Sequence, residues 1–268
     1  MSTEFKVEFA GRNISIKAGY VAGQTDGAVM VRYGDTVVMV TAVSLLTIRE
    51  GVDFLPLTVD YQEMTYAAGK IPGGFFRREG RPNEREILTS RVIDRSIRPL
   101  FPKGYCHETQ LVATVLSVDK ENDSDVAALL GASAALEISD IPFKGPIAGV
   151  RVGRLDGRLI CNPSLEEQEE GDLNLFLVGR KVVPGTDGRP FDVNLVMLEG
   201  NGREVEEENV IAAIEFGLDC MRPAIELQDE MRAAIGKAKR SFQAVEIDDA
   251  LRAAVAEKAA AKMDEAYR

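Results

Sequence analysis

Residues 71–86, IPGGFFRREGRPNERE, set two phenylalanines beside two arginines, with Gly73 and Gly74 before them and Gly80, Arg81 and Pro82 after. Rings and guanidiniums are what a single-stranded nucleic acid calls for. The rings stack on bases, and the planar guanidinium fork takes phosphate oxygens. Phe75, Phe76, Arg77, Arg78 and Arg81 are therefore the candidate RNA-contacting residues, on a loop that the paired glycines let project. At least one of the two rings is expected to bury and anchor the loop in the core. Further arginines follow: on an ideal helix Arg81, Arg85, Arg91, Arg95 and Arg98 fall within an arc of about 140°. Leu88 and Val92 share that arc, so the alternative is an ordinary exposed helix with internal ion pairs, Arg91 with Asp94 for example. A Walker-type phosphate loop is absent, since GGFFRREG has neither its spacing nor its Lys-Ser/Thr ending.

Charge is concentrated around this segment. The 268-residue chain carries a net charge of −11, yet from Lys70 to Lys103 nine basic residues face four acidic ones. That window is +5 and the rest −16, which argues against nucleic-acid affinity spread over the whole surface. No stretch approaches about 18 uninterrupted apolar residues, so a transmembrane helix is not expected. The start, MSTEFKVEFAGRN, lacks the basic and apolar regions of a secretory signal. Cys106, Cys161 and Cys220 lie far apart without metal-ligand spacing, and His107 is the sole histidine. Structural zinc and a Ser-His-Asp triad are thus unsupported, and the adjacency of Cys106 and His107 does not make a dyad. The plain reading is a cytoplasmic protein with reduced thiols.

The elements that must position the loop are strands on both sides of it. FKVEFAGRNISIKAG reads as two alternating runs around a turn, and GAVMVRYGDTVVMVTAVS as a hairpin across Tyr-Gly-Asp-Thr. DFLPLTVDYQEM adds a strand whose Pro56 suggests an edge or an irregular entry. A helix that Pro82 and Asn83 start and Pro99 ends comes after the loop. TQLVATVLSVD is the most buried-looking strand, and NDSDVAALLGASAALEIS a helix whose small residues allow close packing on a sheet. GPIAGVRVGRLDGRLICNPS is a hairpin across Asp156-Gly157, and DLNLFLVGR and FDVNLVMLEGNG are two strands joined by the turn-rich KVVPGTDGRP. The order predicts an α+β sandwich, not a run of βαβ units. After residue 203 the pattern is helical only: EVEEENVIAAIEFGLDCM, a break at Pro223, then amphipathic helices over AIELQDEMRAAIGKAKRSF and IDDALRAAVAEKAAAKMDEAYR. The expected division is a core over 1–203 and a truncated helical segment over 204–268, because the chain stops inside a helical pattern.

The run YQEMTYAAGKIPGGFFRREGRPNEREILTSRVIDRSIRPLFPKGY, continued by TVLSVDKENDSDVAALLGASAALEISDIPFKGPI, closely resembles the first ribonuclease PH-like core of the bacterial polynucleotide phosphorylase (polyribonucleotide nucleotidyltransferase) family. The match is strong over residues 10–165 and looser in the helical part, and KVVPGTDGRPFDVNLVMLEGNG fits it less well. The resemblance implies a ribonuclease PH-like fold of mixed sheets packed with helices. It also implies an enzyme that shortens RNA from the 3′ end with inorganic phosphate as co-substrate, releasing nucleoside diphosphates. Members have two such cores joined by a helical domain, then KH and OB-type modules, and assemble as ring-shaped homotrimers that engage single-stranded RNA and other RNA-degradation proteins in mRNA turnover.

This chain corresponds to the first core and most of the helical domain, whereas the phosphate and Mg²⁺ sites of the family lie mainly in the second core. The resemblance therefore implies that this part alone is inactive and binds no Mg²⁺, its Phe-Phe-Arg-Arg loop lining the RNA channel. Single-core relatives carry a phosphate-binding Thr-Arg or Ser-Ser pair where this sequence has Ser124 and Asp125, and a carboxylate there would repel phosphate. Asp172 resembles the position of a catalytic acid, with Glu166 near a second, so the two read as remnant candidates. Two other readings stand beside this one: an RNA-binding or assembly module without catalytic duty, and an independent single-core hydrolase or nucleotide-binding enzyme using Glu166 and Asp172.

Overall fold

The structure, a computed structural model, describes residues 2–119, 121–183, 190–244 and 248–267. Strict alternation of apolar and polar residues folds the first forty residues into two antiparallel hairpins. Strands β1 (Thr3–Phe9) and β2 (Arg12–Ala18) turn at Ala10 and Gly11, both at positive φ, and β3 (Gly27–Tyr33) pairs with β4 (Thr36–Ser44) across the expected Gly34-Asp35 turn. With β5 (Leu57–Glu63) and β6 (Thr109–Ser117) they form a six-stranded sheet of order β1-β2-β3-β4-β6-β5. Strand β5 begins just after Pro56 and lies at the edge, as the proline suggested. It runs parallel to β6, and helix α1 (Glu84–Ile97) provides the crossover.

A second sheet has the order β10-β9-β7-β8, from β7 (Ile147–Leu155), β8 (Arg158–Cys161), β9 (Leu173–Val182) and β10 (Asp192–Gly202). Most of the turn-rich segment expected between β9 and β10 lies outside the described residues. Between the sheets runs α2 (Ser124–Ile138), every residue of it buried. A Cβ on its Gly131 would come 2.5 Å from Val40 of the first sheet, and one on Gly149 of the second sheet would come 2.4 Å from Leu129 of α2. A helix squeezed from both sides has no polar face to show, which explains why VAALLGASAAL is apolar or small all round.

The short helix α3 (Leu165–Glu170) precedes β9, and three more helices follow the second sheet. Helices α4 (Glu207–Cys220) and α5 (Arg222–Ile235), the latter starting on Arg222-Pro223, pack onto the core. Gly217 sits against Leu177, Val152 and Val150, Gln228 Nε2 donates to the Ile147 carbonyl at 2.8 Å, and Arg232 pairs with Glu137 at 2.8 Å. The change to helical sequence at residue 204 is thus a change of element within one packing unit.

The helix expected to reach Phe242 ends instead at Ile235. Past Gly236 the chain finds better partners off the helix. Lys237 N–H donates to the Ile138 carbonyl and Arg240 Nη2 to Asp140, while Lys239 Nζ donates to the carbonyls of Leu136, Glu137 and Ser139 at 2.6, 3.2 and 2.9 Å. That ammonium caps the C-terminus of α2, where free carbonyls and the helix dipole favour a cation. Phe242 closes edge-on against Tyr105, with ring centroids 5.1 Å apart. The last helix, α6 (Asp249–Ala266), has no buried residue. The amphipathic continuation expected there is not realised, since no face of it packs against the core.

Candidate nucleic-acid interface

The Phe-Phe-Arg-Arg segment is held at both bases and free at its tip. Upstream, a 3-10 turn (Thr65–Ala68) ends on Gly69 in the left-handed region. The Glu79 carboxylate reaches back to accept from Thr65 N–H and Oγ1, each at 2.8 Å. Downstream, Asn83 and Glu86 form a reciprocal capping box at the start of α1. The buried Glu86 also accepts from Glu63 N–H at 2.8 Å, tying the loop's exit to the end of β5. Between these clamps Arg77 N–H closes a turn on the Gly74 carbonyl, with Arg77 at φ +48°.

Both phenylalanines point into solvent: Phe75 is 95% exposed and Phe76 73%. The expectation that one ring would anchor the loop in the core is therefore corrected. Polar clamps at Glu79 and Glu86 hold the loop without it. The rings pack on each other edge to face, with centroids 5.4 Å apart and planes at 84°, and the Arg78 guanidinium lies 5.0 Å from the Phe76 centroid. This leaves ring faces available for stacking on bases.

The arginines divide into two sets. Arg77, Arg78 and Arg81 are exposed and form no ion pair among the described residues. Arg81 is not on the helix as the expected arc required, because the Asn83 cap starts α1 at Glu84. On the helix Arg85 meets Asp123 and Glu63, Arg95 meets Glu199 at 3.0 Å, and Arg98 meets Asp94. Asp94 thus takes Arg98 at i+4, not the expected Arg91 at i−3. Among the described residues the loop holds three guanidiniums without an ion pair and the helix one, Arg91, the other helix arginines being spent within the fold.

A cleft of 540 Å³ lies beside α1, lined among others by Arg85, Asp123, Asp125, Arg151 and Asn174. Its floor is the N-terminus of α2, where backbone N–H groups ordinarily welcome an anion. Here the protein's own carboxylate fills that role: Asp125 Oδ1 accepts from Val126 N–H at 2.6 Å, and Oδ2 takes the Arg151 guanidinium. Burial pushes the Asp125 carboxyl up, and Arg151 and Arg85 pull against that shift. Ser124 is occupied too, its hydroxyl 2.8 Å from the Tyr61 phenol, which donates to Glu63. The two residues at the expected phosphate-pair position are thus committed inside the protein. Arg151, which also lies 5.2 Å from the Phe176 ring centroid, was not singled out in the sequence. One arginine on a strand gives no periodic signal of a partner 26 residues away.

The two remnant candidates do not converge on that cleft. Asp172 is gripped by Arg154 through Nε at 2.9 Å and Nη2 at 2.6 Å, and this hydrogen bonding holds its carboxyl below the ordinary value. Glu166 is exposed on the first turn of α3. No cluster of three or more His, Cys, Asp or Glu side chains suited to a metal exists among the described residues. A carboxylate forked onto arginine and a solitary exposed one do not fit a Mg²⁺ site. No helix among the described residues is long and apolar enough to cross a membrane.

Comparison with known proteins fits this geometry. Residues 10–142 match domain 1 of the 3′ exoribonuclease family, and residues 145–220 match domain 2. The chain belongs to the 3′ exoribonuclease family. It is 84% identical over 268 residues to a polyribonucleotide nucleotidyltransferase of Syntrophus aciditrophicus and 50% identical to one of Geobacter sulfurreducens. These alignments cover 100% and 99% of this chain but only 38% and 37% of the relatives, so the chain spans little more than a third of their length. A solved structure of rice Rrp46 superposes with a TM-score of 0.62 at 19% identity, covering 84% of this chain and 94% of that one. The shared fold is the ribonuclease PH-like α+β architecture.

Proposed function

We propose that the chain is the N-terminal part of a polyribonucleotide nucleotidyltransferase, an enzyme that removes nucleotides from the 3′ end of RNA by phosphorolysis. Its role in that reaction is to guide single-stranded RNA. The observation that carries this reading is the projecting loop with two exposed rings and three guanidiniums, Arg77, Arg78 and Arg81, that form no ion pair among the described residues. The rings stack on bases in a sequence-tolerant way, and the guanidiniums hold the backbone. The bond-breaking chemistry, with its inorganic phosphate and Mg²⁺, is assigned to residues outside this chain. The Asp125–Arg151 pair at the floor of the cleft and the Arg154 grip on Asp172 support that division. The whole enzyme works in the cytoplasm as a homotrimer, with this chain contributing scaffold and channel, and the helical segment 204–268 leads toward the rest of the protein.

The test is twofold. The chain should bind oligoadenylate, and incubated with poly(A), inorganic phosphate and Mg²⁺ it should release no nucleoside diphosphate. Turnover by this chain alone would overturn the assignment of the chemistry elsewhere, and failure to bind oligoadenylate would overturn the guiding role.

A further inference from the structure

Two of the three cysteines meet across the second sheet. Cys161 ends β8 and is the cross-strand partner of Val152 on β7. Gly217 of α4 lies over Leu177 of β9 and over Val152 and Val150 of β7, so this turn of the helix crosses the sheet where β9 meets β7. With about 100° per residue, Leu218 and Met221 fall about 100° and 40° to one side of Gly217, and Cys220 falls about 60° to the other. The first side is fixed by Gly179 of β9, which lies against Leu218 and Met221. Since the sheet order is β9-β7-β8, the opposite side is β8, and Cys220 comes down on Cys161. Both residues are half-buried and pack on the edge of the core, whereas Cys106 is buried elsewhere. The proximity of Cys161 holds the Cys220 thiol below its ordinary value, while Cys220 and burial push the Cys161 thiol up. The pair is therefore polarised: one sulfur favours the thiolate and the other keeps its proton.

We propose that Cys161 and Cys220 form an oxidisable dithiol that hydrogen peroxide converts into a disulfide between β8 and α4. The Cys220 thiolate attacks one peroxide oxygen, the O–O bond breaks, and hydroxide leaves, giving a sulfenic acid at Cys220. The Cys161 sulfur then attacks the Cys220 sulfur. The S–S bond forms as the S–O bond breaks, and the departing hydroxide takes the Cys161 proton as water. Two thiols lose two hydrogens and the peroxide is reduced to two waters. The product pins the end of α4 to the sheet edge just before the chain enters α5, and it closes a long loop, which restricts the unfolded chain.

The experiment treats the folded chain with stoichiometric hydrogen peroxide, then alkylates free thiols and maps peptides by mass. The expected result is a cross-linked peptide pair carrying Cys161 and Cys220, Cys106 alkylated as the single free thiol, and a midpoint of thermal unfolding raised by several degrees. In Cys161→Ser, oxidation should stop at a Cys220 sulfenic acid that dimedone captures. Cys161→Ala should give the same adduct, so the outcome does not hang on the serine hydroxyl. The proposal is overturned if peroxide leaves both thiols alkylatable, if Cys106 oxidises first, or if Cys220 proceeds to the sulfinic acid in the parent chain without cross-linking.

Discussion

Replacing Arg77 and Arg78 together by alanine removes two of the loop's three guanidiniums that form no ion pair among the described residues, while leaving its anchors, Glu79 on Thr65 and Glu86 on Asn83, in place. Each phosphate contact on a single strand contributes about 0.7 to the slope of log affinity against log salt. Three contacts, one each from Arg77, Arg78 and Arg81, give a slope of about −2, so raising salt from about 50 to about 200 mM should weaken oligoadenylate binding by about 20-fold. With only Arg81 left the slope falls to about −0.7, and the same change in salt weakens binding by about threefold. Fluorescence anisotropy with a labelled oligoadenylate across a salt series measures both. Phe76→Ala separates the terms, since losing a stacking face costs about 1–3 kcal/mol at every salt concentration with the slope unchanged. Arg95→Ala serves as the control, its guanidinium already facing Glu199 at 3.0 Å on the surface, where such a pair adds little to stability. The reasoning fails if the double variant keeps the parent slope, or if Arg95→Ala lowers it as much.

Two further variants probe the cleft and the sheet. Arg151→Met leaves Asp123 and Asp125 facing each other with Arg85 as their remaining guanidinium, and removing one partner of a buried ion pair costs about 3–5 kcal/mol. Because the folded Asp125 already holds its proton more tightly than the unfolded residue, folding gains stability as pH falls, so the deficit measured by urea unfolding at neutral pH should shrink toward the ordinary carboxylate range. Asp119→Asn puts an amide among five donors, the N–H groups of Asp35, Thr36, Glu121 and Asn122 and the Asn122 side chain, at a cost of about 2 kcal/mol. Burial alone would raise the Asp119 carboxyl, but these bonds bring it below 3.8, so its contribution is present above that value and lost as pH falls further. Unfolding curves of parent and variant should converge in acid, and a gap that stays constant below pH 3.8 would contradict the assignment.

Periodicity made the strands legible, and register followed from it. The four strands of the two N-terminal hairpins alternate cleanly, and each turn falls where Gly11 and Gly34 allow positive φ. Pro56 pointed to an edge or an irregular entry because a missing N–H is tolerated there, and β5 both starts just after it and lies at the edge. The local pattern misleads where a long-range partner outcompetes it. GKAKRSF is a fair helical sequence, yet its Lys and Arg side chains find the open carbonyls of α2 and the carboxylate of Asp140, and the helix gives way. The burial of one phenylalanine followed from the habit of aromatic residues, and it fails because two glutamates at fixed spacing already anchor the loop. The Asn-x-x-Glu at 83–86 is a readable capping box and was the signal available for half of that anchor.

The division between loop and cleft has one physical origin, the distance from each guanidinium to a carboxylate. Along α1, Arg85 and Arg95 face other elements of the fold that present Glu63, Asp123 and Glu199, Arg98 is taken by Asp94 of the same helix, and the exposed Arg91 forms no ion pair among the described residues. In the cleft itself Arg151 meets Asp123 and Asp125, so positive charge that could hold a phosphate is neutralised from within. The loop tip stands away from these carboxylates, and its one acid, Glu79, is turned back onto Thr65. A cation with no internal partner must be matched by solvent ions, and an arriving phosphate chain gains by releasing the ions it carries. On the proposed reading, the same sequence builds one arginine cluster to hold the fold and another to meet an anion from outside. Reversing the sign of a single cleft residue would not convert the first into the second, because Asp123 and Asp125 both engage Arg151 and Ser124 is already bound to Tyr61.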